Sequence, residues 1–319
     1  MSSKIQKIDD DNQKEEASPP NEVEQSFIDA AMKYPGVRAS IFTPTDRVQI
    51  TRGYQTYDQR GEDTNKAFKA ISDFRTTYRA HEFCRKKQPK SDDYLAHIWP
   101  EVIYPPDKYG HILISLRFTE IDIAAIENLE DDELTRLQGQ RLAAYSLYKE
   151  KLSRESGVQR YKHSLLVDLK DSGMGILMGK KKAMIQRVMS IGSDFYPETV
   201  WKIFVINAPF VFRSAWTIVK RWVHPVTQAK LSVHSASVCK KVLMEQGVQE
   251  QDVPQQLGGQ SKGITSLDVL NLMIAYSEEL DKAASSPADA EENEGQAGPA
   301  PPNVVANRGG RRTAQTTML

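Results

Sequence analysis

The chain has 319 residues and a mass of 36.0 kDa, enough for one large domain or two ordinary ones with a real core. Lys+Arg 42 against Asp+Glu 42 gives a formal net charge of zero, which at face value argues against a strongly basic nucleic-acid binder or an acidic tail protein. Two cysteines, Cys84 and Cys239, cannot form a disulfide framework, and the opening Met1-Ser-Ser-Lys has no signal-peptide pattern, so a reducing, cytoplasmic setting is expected.

Residues 1–21 and 283–319 are poor in large apolar side chains and rich in polar and small ones. Such segments bury too little surface to offset chain entropy, so both are expected to be disordered tails. Between them a helical segment is expected at 22–100, an α/β domain at 101–260 and a C-terminal helix at 261–282.

Within 64–87, Ala67, Phe68, Ile71, Phe74 and Tyr78 keep helical spacing, with Pro89 as the expected stop. Asp107-Lys-Tyr-Gly110 is a turn signal ahead of an apolar strand, Ile112 to Phe118. Leu134, Leu137, Arg141, Tyr145, Tyr148 and Leu152 predict a long helix closed by Gly157. An alternation follows: strand His163–Leu169, helix Lys181–Phe195, strand Lys202–Ala208, helix Arg213–Val223 and strand Leu231–His234. Helices over Ser237–Gln246 and Leu267–Leu280 complete the order. Strands separated by helices of about ten residues predict crossover units and a mainly parallel sheet.

The zero net charge is a sum of unlike parts. Residues 1–21 carry −2 and residues 283–319 carry −1, leaving +3 for the body. From Thr199 to Met244 there is no Asp or Glu, yet seven cations stand there, beside Trp201, Trp216, Trp222, Phe204, Phe210 and Phe212. A basic face with aromatics suits an anionic membrane surface; a buried strand and a solvated helix would have the same composition. Lys202, Asn207, Pro209 and Arg213 interrupt the apolar run at 200–219, which excludes a transmembrane span there.

Catalytic and metal motifs are absent from the sequence. The glycines at 173, 175 and 179 miss the phosphate-loop spacing, and Lys181 stands where Ser or Thr must ligate magnesium. The six histidines show no paired ligand spacing. His81 and Cys84 share a helix face but lack an orienting group. Neither an enzyme nor a resident cofactor is expected. A single RGG at 308–310 carries little weight as an RNA element, so no nucleic-acid partner is expected.

What remains is a set of motifs in order: Asp168-Leu169-Lys170, Tyr196-Pro197-Glu198, Ile206-Asn207-Ala208-Pro209-Phe210, Pro225-Val226-Thr227 with Lys230, and Leu257-Gly258-Gly259. From about Tyr161 to Gly259 this resembles the CRAL-TRIO lipid-binding domain, in its fungal phosphatidylinositol-transfer (Sec-fourteen-like) form. The resemblance implies a sheet flooring an apolar lipid pocket, covered by a gate helix at about Val211–Val223, after a helical N-terminal segment. It implies extraction and exchange of one phospholipid, most readily phosphatidylinositol, by a cytoplasmic protein that touches membranes transiently. By the same resemblance Glu198, Thr227 and Lys230 would hold the headgroup, while Phe212, Arg213, Trp216, Lys220 and Arg221 would face the membrane from the gate.

The plainer reading of the headgroup residues is a surface Glu198–Lys230 salt bridge and a capping threonine. The family's arginine-rich run is replaced by Ile50-Thr51-Arg52-Gly53-Tyr54-Gln55-Thr56-Tyr57, which removes a phosphate cation unless Arg52 or Arg60 substitutes. The choline-reading positions fall at His163, Leu165 and Ile114, a poor cage for a quaternary ammonium. Two alternatives follow: a regulatory or interaction module that has lost transfer, or a carrier of a non-phospholipid hydrophobic ligand.

Overall fold

The structure, a computed structural model, describes residues 16–56, 64–173, 179–208 and 228–285. Two compact units divide the chain, residues 1–278 and 279–319. Three helices of the first unit pack together among the described residues. Helix α1 (Glu22–Met32) opens on a capping box, in which the Glu24 N–H donates to Asn21 Oδ1 and the Asn21 N–H to Glu24 Oε2, both at 2.9 Å. Helices α2 (Pro44–Thr56) and α3 (Thr64–Thr77) pack with α1 around Ala31, Phe42, Ile50, Phe68 and Ile71. Arg75 on α3 clasps Asp46 on α2 through two 2.8 Å hydrogen bonds. The helix expected to run to residue 87 ends ten residues earlier, because Arg79 takes a left-handed φ of 52° and a 3-10 turn follows at Ala80–Glu82.

Six strands form one sheet: β1 (Val102–Tyr104), β2 (Leu113–Arg117), β3 (His163–Asp168), β4 (Val200–Ile206), β5 (Leu231–His234) and β6 (Ile264–Thr265), in the order β5-β4-β3-β2-β1-β6. Strands β2 to β5 run parallel, whereas β1 is antiparallel to both β2 and β6. The sheet is therefore mixed rather than mainly parallel. The connection at 105–112 is shorter than the dozen or so residues a parallel crossover needs, so β1 and β2 pair as a hairpin. Its turn is the expected one: Gly110 adopts φ 90°, and Asp107 Oδ1 accepts the N–H groups of Tyr109 and His111.

Register sets the two faces of the sheet. Ile114, Leu165, Ile203 and Leu231 lie side by side across β2 to β5, and Leu116, Val167, Val205 and Val233 form the next row on that face. Over β2 this face is covered by helices α4 (Asp131–Ser156), α5 (Gly179–Phe195) and α7 (Ser266–Ala284), which share its core with Leu134, Val188 and Met273. Toward β5 the same rows become half-buried at Leu165, Val167 and Leu231 and exposed at Val233. The other face buries Leu166, Phe204 and Ile206 against Cys239 and Leu243 of helix α6 (Ala236–Glu245). Helix α4 ends where Gly157 takes φ 70°, as the sequence predicts.

Candidate functional site

Parallel strands start at the same end of a sheet, so the residues just ahead of them converge. His111 precedes β2, Lys162 precedes β3, Glu198 precedes β4 and Lys230 precedes β5. Ligands of open α/β sheets usually sit at the opposite, carboxyl ends.

Lys162 and Lys230 both reach Glu198 Oε1, at 2.8 and 3.0 Å, while Glu198 Oε2 is buried with no hydrogen-bond partner among the described residues. The Glu198 side chain is 5% exposed and that of Lys230 is 18% exposed, so this is a buried triad and not a surface salt bridge. Burial alone would raise the Glu198 carboxyl, but the two ammonium groups outweigh it and hold it below the ordinary carboxylate value. Burial lowers Lys230, and Lys162 nearby adds to that; Glu198 opposes both. Lys162, despite burial, is raised by Glu198.

The backbone at Glu198 is left-handed, φ 54°, which is strained for a residue with a Cβ. Helix α2 grips this turn. Gln49 Nε2 donates to the Pro197 carbonyl at 2.7 Å, and a Cβ on Gly53 would stand 3.1 Å from Pro197 Cβ and 3.3 Å from Glu198 Cβ. The stretch where the resemblance predicts an arginine-rich run is, from Ile50 to Thr56, part of the helix that seats Glu198. Arg52 of that helix is committed elsewhere: Nε donates to Glu24 Oε1 at 2.9 Å, and a terminal nitrogen donates to the carbonyls of Ser18 and Pro19. It does not stand in as a free phosphate cation. Of the residues expected at the headgroup and gate, Thr227, Phe212, Arg213, Trp216, Lys220 and Arg221 lie outside the described residues, as does Arg60.

A second carboxylate sits beside this triad. Glu16, placed by composition in an unstructured tail, is buried. Its Oε1 accepts the N–H groups of Tyr161 and Lys162 at 2.6 and 2.7 Å, and its Oε2 lies 2.7 Å from His111 Nε2. The carboxylate can only accept, so Nε2 carries the proton. The His111 ring stacks on Trp201, centroids 4.4 Å apart. Burial opposes ionisation of Glu16, but His111, Lys162 and the donated N–H bonds bring its carboxyl down to about 2. Behind it, Lys149 is buried, donates to the Tyr161 carbonyl and lies 3.3 Å from His163 Nδ1; desolvation brings its ammonium down to about 7. His163 is kept neutral by burial and by Lys149. This position therefore faces a lysine, and Leu165 and Ile114 belong to the apolar row, so none of the three offers a Phe, Tyr or Trp face to choline.

Sequence reasoning missed Lys162, Glu16 and Gln49. Lys162 had one readable signal: like Lys230, it immediately precedes a strand. The Asp168 and Asn207 motifs meet each other, with Asn207 Nδ2 donating to Asp168 Oδ1 at 2.8 Å, and so tie the ends of β3 and β4. Among the described residues, no group of three or more His, Cys, Asp or Glu side chains could hold a metal ion, and no helix is long and apolar enough to cross a membrane.

The CRAL/TRIO domain profile matches residues 98–259, half of the chain. The chain is 38% identical over 72 residues to the SEC14 cytosolic factor of Yarrowia lipolytica, covering 23% of this chain and 14% of that protein. It is 32% identical over 94 residues to the phosphatidylinositol/phosphatidylcholine transfer protein SFH12 of Arabidopsis thaliana, covering 30% and 17%. These matches thus span only a small part of either relative. The crystal structure of Sfh5 superposes with a TM-score of 0.51 over 68% of this chain and 71% of that one, at 15% identity, a likeness of fold.

Proposed function

Because the chain belongs to the CRAL/TRIO domain family, a family of lipid-binding and lipid-transfer domains, we propose that it holds one phospholipid with a phosphate- and hydroxyl-bearing headgroup, phosphatidylinositol foremost, and exchanges it between membranes. One observation carries this reading: the shared Glu198 Oε1 beside a buried Oε2 that no described residue partners. Lys162 and Lys230 are cations for phosphate oxygens. The unpartnered carboxylate oxygen is an acceptor for a ring hydroxyl, and a buried acceptor left unpaired is costly without a ligand. Thr227, three residues before Lys230, is the further hydroxyl assigned to the headgroup, with the gate at about Val211–Val223 and its Phe212, Arg213, Trp216, Lys220 and Arg221 facing the bilayer.

Toward β5, where the helices no longer cover the two apolar rows, Leu165, Val167, Leu231 and Val233 are the floor this reading gives the acyl chains. Exposing two chains to water would cost on the order of 20–25 kcal/mol at about 0.8 kcal/mol per methylene. A wall of Ile, Leu and Val offsets most of that, so exchange runs nearly balanced and needs no catalytic group. CRAL/TRIO domains are typically non-catalytic lipid carriers. Mass spectrometry of lipid extracted from the protein purified from its native source tests the reading. It predicts phosphatidylinositol near one molecule per chain; a protein free of phospholipid would overturn it.

A further inference from the structure

Residues 16–20 lie across the body as a strap. Ala17, Ser18 and Pro19 are exposed, and Glu16 alone of residues 16–19 is buried. Two consecutive main-chain N–H groups and a histidine N–H converge on its carboxylate, an arrangement typical of oxyanion binding. Helix α2 holds the outer part of the strap by Arg52, which donates to Ser18 O at 3.2 Å and Pro19 O at 3.3 Å. None of the six strands takes the strap as a neighbour. It can therefore leave without dismantling the sheet.

Buried charge crowds this corner. Lys149, Arg160, Lys162 and Lys230 are all buried or nearly so and all feel the Glu16 charge, while Glu16, Glu198 and Asp107, which acts on Arg160, are the carboxylates among them. Asp107 lies on the far side of His111, 3.8 Å from Nδ1. Removing Glu16 without replacement would leave buried cations uncompensated, so the strap stays until another anion arrives.

We propose that the donors of Tyr161, Lys162 and His111 form a latent oxyanion site, that Glu16 is its built-in occupant, and that a phosphate monoester displaces it and releases the strap. The site stands on its own donors; only the choice of a lipid as the phosphate's source rests on the lipid reading above. The neighbouring Glu198 triad adjoins it through Lys162, whose main-chain N–H donates to Glu16 while its ammonium pairs with Glu198.

The test uses the full chain and its Glu16→Ala variant. Each is titrated with inorganic phosphate and, separately, with vesicles containing phosphatidylinositol 4-phosphate or phosphatidylcholine only. The readouts are the amide NMR shifts of Tyr161 and Lys162 and amide exchange at Ala17 and Ser18. Glu16→Ala is expected to bind phosphate at least tenfold more tightly than the wild type, with both amides shifting. In the wild type, the displacing ligand is expected to quicken exchange at Ala17 and Ser18. Response to inorganic phosphate identifies a free anion as sufficient; response to the phosphoinositide vesicles alone identifies the headgroup as the source. A folded Glu16→Ala chain whose amides respond to neither, or a wild type whose strap never loosens, makes Glu16 a structural anchor and overturns the proposal. If Glu16→Ala does not fold, Glu16→Gln keeps shape and acceptor while removing charge, and the same gain is required of it. A chain that carries no lipid yet gains phosphate binding on Glu16→Ala would sink the lipid reading and leave this one standing.

Discussion

Lys230 Nζ lies 3.0 Å from Glu198 Oε1, in a site where the carboxylate is 5% exposed. Two residues 32 apart in sequence meet because each stands ahead of a strand, and β4 and β5 are parallel neighbours. The pair is shared with Lys162, so losing Lys230 leaves Glu198 with one cation, and the fold is expected to survive.

Gly53→Ala tests how tightly that carboxylate is seated. An alanine in a helix normally gains roughly 0.5–1 kcal/mol over glycine. Here its Cβ would press on Pro197 and Glu198 at 3.1 and 3.3 Å. The expected result is a melting temperature unchanged or slightly lowered, together with several-fold weaker phosphatidylinositol binding. A rise in melting temperature with binding intact would show that the turn has room to give.

Glu101 is the carboxylate of a second buried network, none of whose members pairs with Glu198. It pairs with Arg141 and accepts from Tyr145 Oη at 2.6 Å and Trp99 Nε1 at 3.2 Å. Glu101→Ala strands the Arg141 guanidinium in the core, and urea unfolding is expected to record a loss of about 3–5 kcal/mol. Glu101→Gln, which keeps two polar atoms, is expected to lose less.

The acid limb of stability is expected to report Glu16. Its carboxyl is depressed in the fold, from an ordinary 4.5 to about 2, so its contribution is present above the ordinary value. The stabilisation, on the order of 3 kcal/mol, is lost as pH falls from about 4.5 through about 2. Denaturant midpoints measured across that window are expected to fall more steeply for the wild type than for Glu16→Gln.

Lys149 gives the opposite limb. Its folded ammonium titrates at about 7 and the unfolded one at 10.5, so the burial cost is full below 7 and fades as pH rises toward 10.5. Stability of the wild type is expected to climb over that range. Lys149→Met, which keeps the stem and removes the titration, is expected to flatten the climb.

Much of this was legible in the sequence, for local reasons. Strand β5 falls where its apolar run stands, and Gly157 closes α4 because the chain there needs a left-handed residue. Strands β1 and β6 are three and two residues long, too short to show a period, so the sheet's antiparallel edge was hidden. The early end of α3 depends on Arg79 taking a conformation its residue type disfavours. Glu198 and Lys230 were reached through a motif, but Lys162 needed the strand order. Glu16 could not be read at all: its segment is polar and acidic, and its partners lie 95 to 146 residues away.

The most direct measurement is transfer of labelled phosphatidylinositol between vesicles by the wild-type chain and by Lys230→Ala. The account predicts transfer by the wild type, and at least a tenfold loss in a Lys230→Ala protein whose melting temperature shows it folded. No transfer by the wild type, or equal transfer by both, would contradict it.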